Sequence, residues 1–379
     1  MRFIATCKLG LESTVARQMR QLGLAVERTE DARVTFTGGF TEMDRALLWL
    51  RAAERLLLEV GAFPATTFTE LFDGVFALEW KPFLARNARI HVNGKSAKST
   101  LFSVSDCQSI VKKAIVENLK AAYRTDTLPE TGPEVIVEVG LLRDMATLAL
   151  DCCGAGLSRR GYRTYNVAAP LSETLGAAVV TLARYRAELP LIDPMCGSGT
   201  MPIEAAMIAQ NRAPGLGRAF AAEAWPFVEP SVWRLAREEA HDSIRPVKLS
   251  ILGSDADPRC IELCKRHARK AGVTVDWAVR PVETLADART GGVLVCNPPY
   301  GERMLDRQEA ERLYRRMRER FDLLNGWSVN IITAFQDFER VYGKRAVQRR
   351  KLSNGGMTCC LYRYAERTNE CSGKEPQKE

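Results

Sequence analysis

Leu191-Ile192-Asp193-Pro194-Met195-Cys196-Gly197-Ser198-Gly199-Thr200 is the stretch of this sequence that decides its fold. An apolar run ends in a carboxylate, a Gly-x-Gly turn follows, and a helical pattern starts at Met201. Open α/β sheets receive nucleoside cofactors at such a junction, because glycines adopt positive φ angles and let the backbone approach a ligand closely. Ile203 stands where a dinucleotide-binding fingerprint has its third glycine, and the turn does not match the phosphate-loop pattern either. The alternative without function is an ordinary tight turn between a strand and a helix.

The sequence after this turn alternates buried strands with helices. We predict strands at 189–193, 247–255, 274–279, 292–297 and 327–333, and helices at 258–271 and 306–324. Alternation at this spacing predicts an α/β domain with a doubly wound, mostly parallel sheet. We place this α/β domain at 171–366 and expect a disordered tail at 367–379, which has no periodicity.

The first part of the chain has a different pattern, in which short strands and helices mix as in small α+β domains. We divide it into an N-terminal region at 1–62, a second domain at 63–155 and a Gly- and Arg-rich linker at 156–170. The predicted elements are a strand near residue 3, helix 11–22, strand 34–37, helix 41–58, strand 87–93, helix 106–123 and a hairpin of 135–142 with 145–151.

Composition narrows the class of protein. The chain has 379 residues, enough for two to three domains at roughly 150 residues each. No run approaches the ~20 consecutive apolar residues of a membrane helix, and the N-terminus lacks the apolar segment of a secretory signal, so we expect a cytosolic protein. The 54 Lys+Arg against 46 Asp+Glu leave a net charge of +8, which fits a nucleic-acid partner without requiring one.

The cysteines and histidines argue against metal and nucleophilic chemistry. Eleven cysteines are present, but none forms the C-x-x-C pairs that announce structural zinc, so we expect no metal site. We interpret them as reduced, buried side chains of a cytosolic chain. With three scattered histidines, a Ser-His or Cys-His mechanism is disfavoured.

A second informative segment is Gly253-Ser254-Asp255-Ala256-Asp257-Pro258. A carboxylate at the end of the second strand is placed to accept hydrogen bonds from both ribose hydroxyls of a nucleoside. Taken alone, Asp255 is equally suited to cap the helix that begins near Pro258. The order of strand, glycine turn, helix, strand and acid favours the adenosine pocket.

The third segment, Val295-Cys296-Asn297-Pro298-Pro299-Tyr300-Gly301, is the most specific. Two successive prolines after a buried strand remove two backbone donors and force a rigid, extended stretch. The side-chain carbonyl of Asn297 and the main-chain carbonyl of Pro298 are then able to accept hydrogen bonds from one exocyclic amine. Tyr300 would offer a face on which the base stacks. A Pro-Pro-Tyr loop without chemistry is the alternative.

These three segments resemble the cofactor, ribose and target-amine motifs of class I amino-methyltransferases that use S-adenosylmethionine. The resemblance extends to the bacterial RNA guanine-amino methyltransferases through Arg159-Arg160-Gly161-Tyr162-Arg163 and Asn297-Pro-Pro-Tyr-Gly-Glu-Arg303. Lys98-Ser-Thr-Leu-Phe-Ser103 looks like part of a THUMP domain, an RNA-binding module, and Phe3-x-Ala-Thr-Cys7 is similar to the ferredoxin-like domain of the same family. The resemblance implies a Rossmann-like methyltransferase domain preceded by ferredoxin-like and THUMP domains.

Carried over residue by residue, the resemblance also implies the site. S-adenosylmethionine would be held by Asp193, Cys196, Gly197, Ser198, Gly199, Thr200 and Asp255. Where relatives often carry an acid after the third strand, this chain has Arg280-Pro281-Val282-Glu283, and Glu283 is the substitute for an adenine contact. The catalytic residues around the flipped guanine would be Asn297, Pro298, Pro299 and Tyr300.

Basic segments favour an RNA partner. The predicted RNA-binding residues are Lys95, Lys98, Arg124, Arg303, Lys344, Arg345, Arg349, Arg350 and Lys351. The run from Arg303 to Arg320 is interleaved with acids and is equally well interpreted as a solvated, salt-bridged face. The run from Arg340 to Lys351 has fewer acids, so we expect it to contact phosphates.

The function expected is therefore methyl transfer to the exocyclic N2 amine of a guanine in structured RNA, with 23S ribosomal RNA favoured on resemblance. Transfer RNA guanine-N2 methylation and adenine-N6 methylation of RNA or DNA stay open. A non-catalytic RNA-binding assembly factor is the alternative from another class, and a hydride-transfer enzyme is disfavoured by the missing third glycine.

Overall fold

The computed structural model describes residues 1–163, 171–300 and 307–364. Arg303, the predicted tail and the end of the predicted linker lie outside the described residues. The chain divides into two units, each described here by itself. Unit 1 holds Met1–Cys7, Glu12–Arg159 and Ala213–Asp242, and unit 2 holds Lys8–Leu11, Arg160–Arg212 and the chain from Ser243. Our domain boundaries assigned 213–242 to the catalytic domain, whereas these residues pack within unit 1.

Unit 1 is built on one seven-stranded sheet of order β2-β3-β1-β4-β7-β6-β5. Its elements are β1 Arg2–Cys7, α1 Glu12–Gln21, β2 Ala25–Glu30, β3 Arg33–Thr37, α2 Phe40–Trp49, β4 Ala53–Pro64, α3 Phe68–Phe76, β5 Arg89–Ala97, α4 Val104–Tyr123, β6 Glu134–Leu142, β7 Met145–Asp151 and α7 Pro230–Asp242. All its strand pairs are antiparallel except β5 with β6. The two α+β segments therefore share one sheet through the β4–β7 pair.

The predicted helix over 41–58 is wrong in its second half. Helix α2 ends at Trp49, Leu50 is extended, and β4 begins at Ala53. The leucine-rich run fits a helical period, but as a strand it pairs on one side with β1 and on the other with β7. Tertiary pairing on both edges satisfies its backbone groups and overrides the local pattern.

The predicted hairpin of β6 and β7 is confirmed. Leu142 and Met145 are paired across it, and Arg143 and Asp144 between them adopt φ of 52° and 61°. Two central residues with positive φ match the right-handed twist of the strands, which is why two-residue hairpin turns adopt this geometry.

Unit 2 contains the predicted doubly wound sheet, of order β10-β9-β8-β11-β12-β14-β13. Its elements are α5 Glu173–Leu182, β8 Leu191–Asp193, α6 Thr200–Ala209, β9 Ile251–Asp255, α8 Pro258–Ala271, β10 Asp276–Val279, β11 Gly292–Cys296, α9 Arg307–Phe321, β12 Trp327–Thr333, α10 Phe338–Tyr342, β13 Gln348–Asn354 and β14 Met357–Tyr364. The first five strands in this order are parallel, and β14 is antiparallel to both of its neighbours. Among the described residues, no helix has the length and apolar character needed to cross a membrane.

The core of unit 2 positions the site. Helix α9 buries Ala310, Leu313, Tyr314, Met317 and Phe321, the i, i+3, i+4 pattern of an amphipathic helix, against β11 and β12. The strand order reverses between β8 and β11, and at such a switch point the connections leave a crevice at the carboxyl ends of the strands.

Candidate active site

Residues 196–200, the glycine turn, begin helix α6 at the carboxyl end of β8. Gly199 is the N-cap, with φ of 81°, a conformation that costs an L-residue roughly 1–2 kcal/mol. A Cβ on Gly199 would lie 2.9 Å from Cη2 of Trp277 and 3.0 Å from Sγ of Cys264. Only glycine fits both the conformation and the space.

Gly197 differs from Gly199 in what surrounds it. Its φ is 54°, but a Cβ there would meet no atom of the described residues within 4 Å. Its N–H donates to Oδ2 of Asp255 over 2.9 Å, and its carbonyl accepts from the Cys264 thiol over 3.2 Å. The turn is thus anchored from β9 and α8 and leaves an open face over Gly197, where a ligand is able to approach the backbone.

Asp193 ends β8 as a fully buried carboxyl. Its Oδ1 accepts from the N–H of Met195 over 3.3 Å, while Oδ2 has no hydrogen-bond partner among the described residues. Burial, reinforced by the charge of Asp255, raises the pKa of Asp193 well above its ordinary value. A buried, unpartnered carboxylate oxygen is costly, so this atom suits the cationic amino group of an amino-acid moiety.

Asp255 is not the cap of the following helix. The cap of α8 is Asp257, whose Oδ1 accepts from the N–H of Arg259 over 2.8 Å. Asp255 instead accepts from Gly197 N–H and, over 3.0 Å, from Asp257 N–H. A carboxylate has about four acceptor positions, so two remain for the hydroxyls of a ribose. Asp193, Gly197 and Asp255 together fit a nucleoside that carries an amino-acid group.

Residues 297–300, the acceptor loop, follow β11 beside the glycine turn. The Tyr300 hydroxyl donates to Oδ1 of Asn297 over 2.7 Å, and the Tyr314 hydroxyl donates from α9 to the carbonyl of Pro299 over 2.6 Å. Burial raises the pKa of Tyr300, and raises that of Tyr314 to about 12, so both hydroxyls stay protonated and act as donors. We predicted a stacking face for Tyr300; the structure adds a hydrogen bond that orients the Asn297 amide.

Glu283, which we predicted to contact the adenine, forms an ion pair with a residue of α9. It lies in the 3-10 turn Val282–Thr284, and its Oε1 is 3.2 Å from Nε of Arg316 on α9. The neighbouring backbone is tied to the end of β9, because Arg280 N–H donates to the carbonyl of Asp255 over 2.8 Å.

The structure divides the predicted RNA-binding residues into paired and unpaired groups. Lys344 lies 3.0 Å from Asp322, Arg349 lies 2.7 Å from Glu339, and Arg350 donates to the carbonyl of Gly10 over 2.8 Å. No ion pair is found in the described part of the chain for the exposed side chains of Lys95, Lys98 and Arg124 in unit 1 or of Arg345 and Lys351 in unit 2. Arg349 is exposed as well, but it is paired with Glu339. The run from Arg340 to Lys351 is therefore partly neutralised by Glu339, which directly precedes it, and by Asp322 at the end of α9.

Family models match three successive parts of the chain. They are an RlmL ferredoxin-like domain over residues 2–57, a THUMP domain over residues 65–151 and an RMKL-like methyltransferase domain over residues 160–363. The chain belongs to the RMKL-like methyltransferase family. This membership confirms the methyltransferase fold, the two preceding domains and S-adenosylmethionine as the cofactor.

Individual relatives cover most of this methyltransferase. This chain is 42% identical over 366 residues to "Putative RNA methyltransferase YpsC" of Bacillus subtilis (strain 168). The match covers 95% of this chain and 95% of the relative. This chain is also 34% identical over 377 residues to the Pseudomonas paraeruginosa (strain DSM 24068 / PA7) protein named Ribosomal RNA large subunit methyltransferase K/L. That match covers 94% of this chain and 51% of the relative, so the chain spans about half the relative's length.

A solved structure is similar over nearly the whole length. It is described as "SMU.472, a putative methyltransferase complexed with SAH", with a TM-score of 0.92 at 40% identity. The similarity covers 97% of this chain and 98% of that one.

Sequence reasoning missed a buried group under the glycine turn. Arg163 donates to Oγ1 of Thr200 over 2.6 Å and to the carbonyl of Leu171 over 2.9 Å. Arg160 and the Tyr162 hydroxyl lie 3.5 Å and 3.2 Å from Oε1 of Glu204, one turn further along α6. The Arg-Arg-Gly-Tyr-Arg segment carried the signal, but nothing local indicated that its side chains reach α6.

His267 was also missed as a support of the turn. It is fully buried on α8, and its Nδ1 lies 3.0 Å from the carbonyl of Ser198. Burial lowers the pKa of this imidazole, so the neutral ring holds the carbonyl. A single histidine on an amphipathic helix carries no pattern by which its partner is predicted.

Proposed function

We propose that this chain methylates the exocyclic N2 amine of a guanine in structured RNA, with 23S ribosomal RNA as the favoured substrate. The observation that carries the proposal is the acceptor loop, which follows the strand adjacent to the one that ends in Asp193. The THUMP match and the name of the Pseudomonas relative support an RNA substrate.

One group of residues would bind the cofactor, and the acceptor loop would bind the target base. S-adenosylmethionine, when bound, supplies an activated methyl group. Asp193 would accept the ammonium of its amino-acid part, Asp255 would accept the ribose hydroxyls, and the open face of Gly197 would admit the backbone of the ligand. These contacts follow from the unpartnered and half-used acceptors at those positions.

The acceptor loop would hold the target amine. Oδ1 of Asn297 has two lone pairs, and with one taken by the Tyr300 hydroxyl the other is available for an N–H of the base. The Pro298 carbonyl would accept the second N–H, so that the nitrogen lone pair points away from these two acceptor oxygens and towards the methyl group. Holding the amine in this orientation lowers the activation barrier for methyl transfer substantially, so no strong base is needed. The proton displaced from the amine passes to water.

The test is identification of the methylated nucleoside. RNA from cells that lack this protein is incubated with the purified chain and isotopically labelled S-adenosylmethionine, then digested and analysed by mass spectrometry. We expect labelled N2-methylguanosine in the large ribosomal RNA. Label in N6-methyladenosine would instead assign the adenine alternative, label confined to transfer RNA would change the substrate, and no label in any RNA would contradict the proposal.

A further inference from the structure

Phe102 is the most exposed large apolar side chain of the described residues. It follows β5 in the segment 98–103, and 83% of its surface is open to solvent. An exposed aromatic ring lowers solubility and adds nothing to the core. Where further apolar or charged side chains surround such a ring, it indicates an interaction site.

The segment that carries Phe102 is held in place. The Thr100 N–H donates to Oδ1 of Asp144 over 2.6 Å, and the Asp144 N–H donates back to Oγ of Ser99 over 3.0 Å. Oγ of Ser96 donates to the carbonyl of Leu101 over 2.6 Å, and the Leu101 side chain is buried. The exposure of Phe102 is therefore a property of a fixed loop, tied to the β6–β7 turn.

That turn adds apolar surface beside the loop. Leu142 and Met145 are directly paired across β6 and β7, and they are 39% and 44% exposed. Gly140 lies two residues before Leu142 on the same face and opposite Lys95, and a Cβ on it would touch nothing within 4 Å. The backbone is bare there, with room for a flat ligand.

The surroundings are cationic. Lys95, Lys98 and Arg143 are exposed on β5, its end and the turn, and none has an ion-pair partner in the described part of the chain. The nearby Asp144 has its Oδ1 engaged by a backbone amide. We call Phe102, Leu142, Met145 and these three cations the Phe102 platform.

We propose that the Phe102 platform binds an unpaired nucleotide of the RNA substrate, whose base stacks on Phe102 while the cations contact the flanking phosphates. This inference rests on the proposed function for the identity of the partner as RNA. Aromatic rings with basic neighbours are the usual means of holding single strands, and a paired base offers no free face to such a ring. The complement of exposed cations favours a polyanion over an apolar protein surface.

The experiment measures binding of the whole chain, without cofactor, to a fluorescein-labelled 12-nucleotide oligoadenylate and to a 12-base-pair RNA duplex. Phe102→Ala should weaken oligoadenylate binding about tenfold, the order of loss for one base stack, and leave duplex binding unchanged. Phe102→Trp should restore binding to within about twofold, with its emission quenched by the base. Leu235→Ala, which removes a 56% exposed apolar side chain from α7, is the matched control and should bind as wild type.

The salt dependence separates the ring from the cations. Lys95→Gln should lower the slope of log affinity against log salt by about 0.7, whereas Phe102→Ala should leave that slope unchanged. Equal oligoadenylate binding by wild type and Phe102→Ala, or no binding by wild type, would overturn the proposal. A wild-type dimer in sedimentation that Phe102→Ala converts to monomer, with RNA binding intact, would assign the platform to a second copy of the chain.

The binding assay tests the Phe102 platform, and the methylation assay tests the proposed function, so either proposal is contradicted without the other. Phe102-dependent oligoadenylate binding without methyl transfer to any RNA would retain the platform and remove the proposed function. N2-methylguanosine formation with Phe102-independent binding would do the reverse.

Discussion

The glycine turn and the acceptor loop follow adjacent parallel strands, yet they are held by different means. Positive φ angles, close packing on Trp277 and a backbone hydrogen bond to Asp255 hold the turn. The acceptor loop depends on two tyrosine hydroxyls, one from the loop itself and one from α9. We therefore expect substitutions in the turn to cost stability and cofactor affinity together, and substitutions around the loop to cost catalysis alone.

The strongest test of this separation is Asn297→Ala. Losing the acceptor oxygen leaves the target amine unoriented, and misplacement of a reacting group typically costs about 100-fold, so turnover should fall at least that far. Cofactor affinity, measured by calorimetry, should stay within about twofold of wild type because Asp193, Gly197 and Asp255 are untouched. Asn297→Asp keeps an acceptor oxygen and should retain more activity than the alanine variant. Full activity in Asn297→Ala would remove the loop from catalysis.

The variants Gly199→Ala and Gly197→Ala separate the effect of packing on stability from the effect of the open face on cofactor binding. Both place a Cβ at positive φ, at a cost of about 1–2 kcal/mol each, but only Gly199 also meets Trp277 and Cys264. Chemical denaturation should show a loss near 3 kcal/mol for Gly199→Ala and about 1 kcal/mol for Gly197→Ala. Gly197→Ala should nevertheless weaken cofactor binding, because its methyl occupies the open face. Equal losses of stability would show that packing does not distinguish the two glycines.

Asp193→Asn tests the buried carboxyl. Its pKa is raised above the ordinary value of about 3.9, so in the ligand-free protein it is protonated over a range above that pH. An ammonium requires the carboxylate, so cofactor affinity should rise with pH through this range, and binding should release a proton. Calorimetry in two buffers of different ionisation enthalpy measures that release. Asp193→Asn should bind about 20-fold less tightly and show no proton release.

The same variant has an opposite effect on stability. Because the folded-state pKa lies above the unfolded one, the carboxyl loses stabilising free energy as pH rises from its ordinary pKa through the raised value. Asp193→Asn removes this loss and should unfold at a higher denaturant concentration near neutral pH. A destabilised Asp193→Asn protein would show that Asp193 is ionised and paired in the free enzyme.

Tyr314→Phe should have the smallest effect. It removes one hydrogen bond to Pro299 while leaving the ring on Phe335 and Phe338, so turnover should fall about fivefold with cofactor affinity unchanged. Tyr364→Phe is the matched control, since this buried hydroxyl in the same core has no hydrogen-bond partner among the described residues. An equal fall in both variants would point to core packing in place of loop positioning.

Much of unit 2 was predictable because its signals are local. Strand 327–333 and helix 258–271 occur as predicted. The strands β8, β9 and β10 begin two to four residues later than predicted and end at the predicted residues. The strands that lead into the site, β8, β9 and β11, end within one residue of the predicted positions. Glycines, prolines and helix caps terminate an element through its own backbone, so the sequence alone locates these ends.

The errors arose where distant residues decide the outcome. The second half of the predicted helix 41–58 became β4 because two remote strands pair with it. The basic run from Arg340 lost part of its free charge to Asp322 and Glu339, whose approach depends on how α9 and α10 pack. Glu339 is adjacent to the run in sequence, but no local pattern indicates that it pairs with Arg349 or that Asp322 pairs with Lys344.

The sequence by itself determined the methyltransferase architecture and the three segments at the ends of β8, β9 and β11, because each is a short run with its own conformational requirement. The tertiary structure decided which acceptors in those segments are already used. Asp257 caps α8 and frees Asp255, Tyr300 and Tyr314 bind the acceptor loop, and Oδ2 of Asp193 is left without a partner among the described residues. Hydrogen-bond satisfaction depends on the three-dimensional neighbours of each atom, and only the folded chain brings those neighbours together.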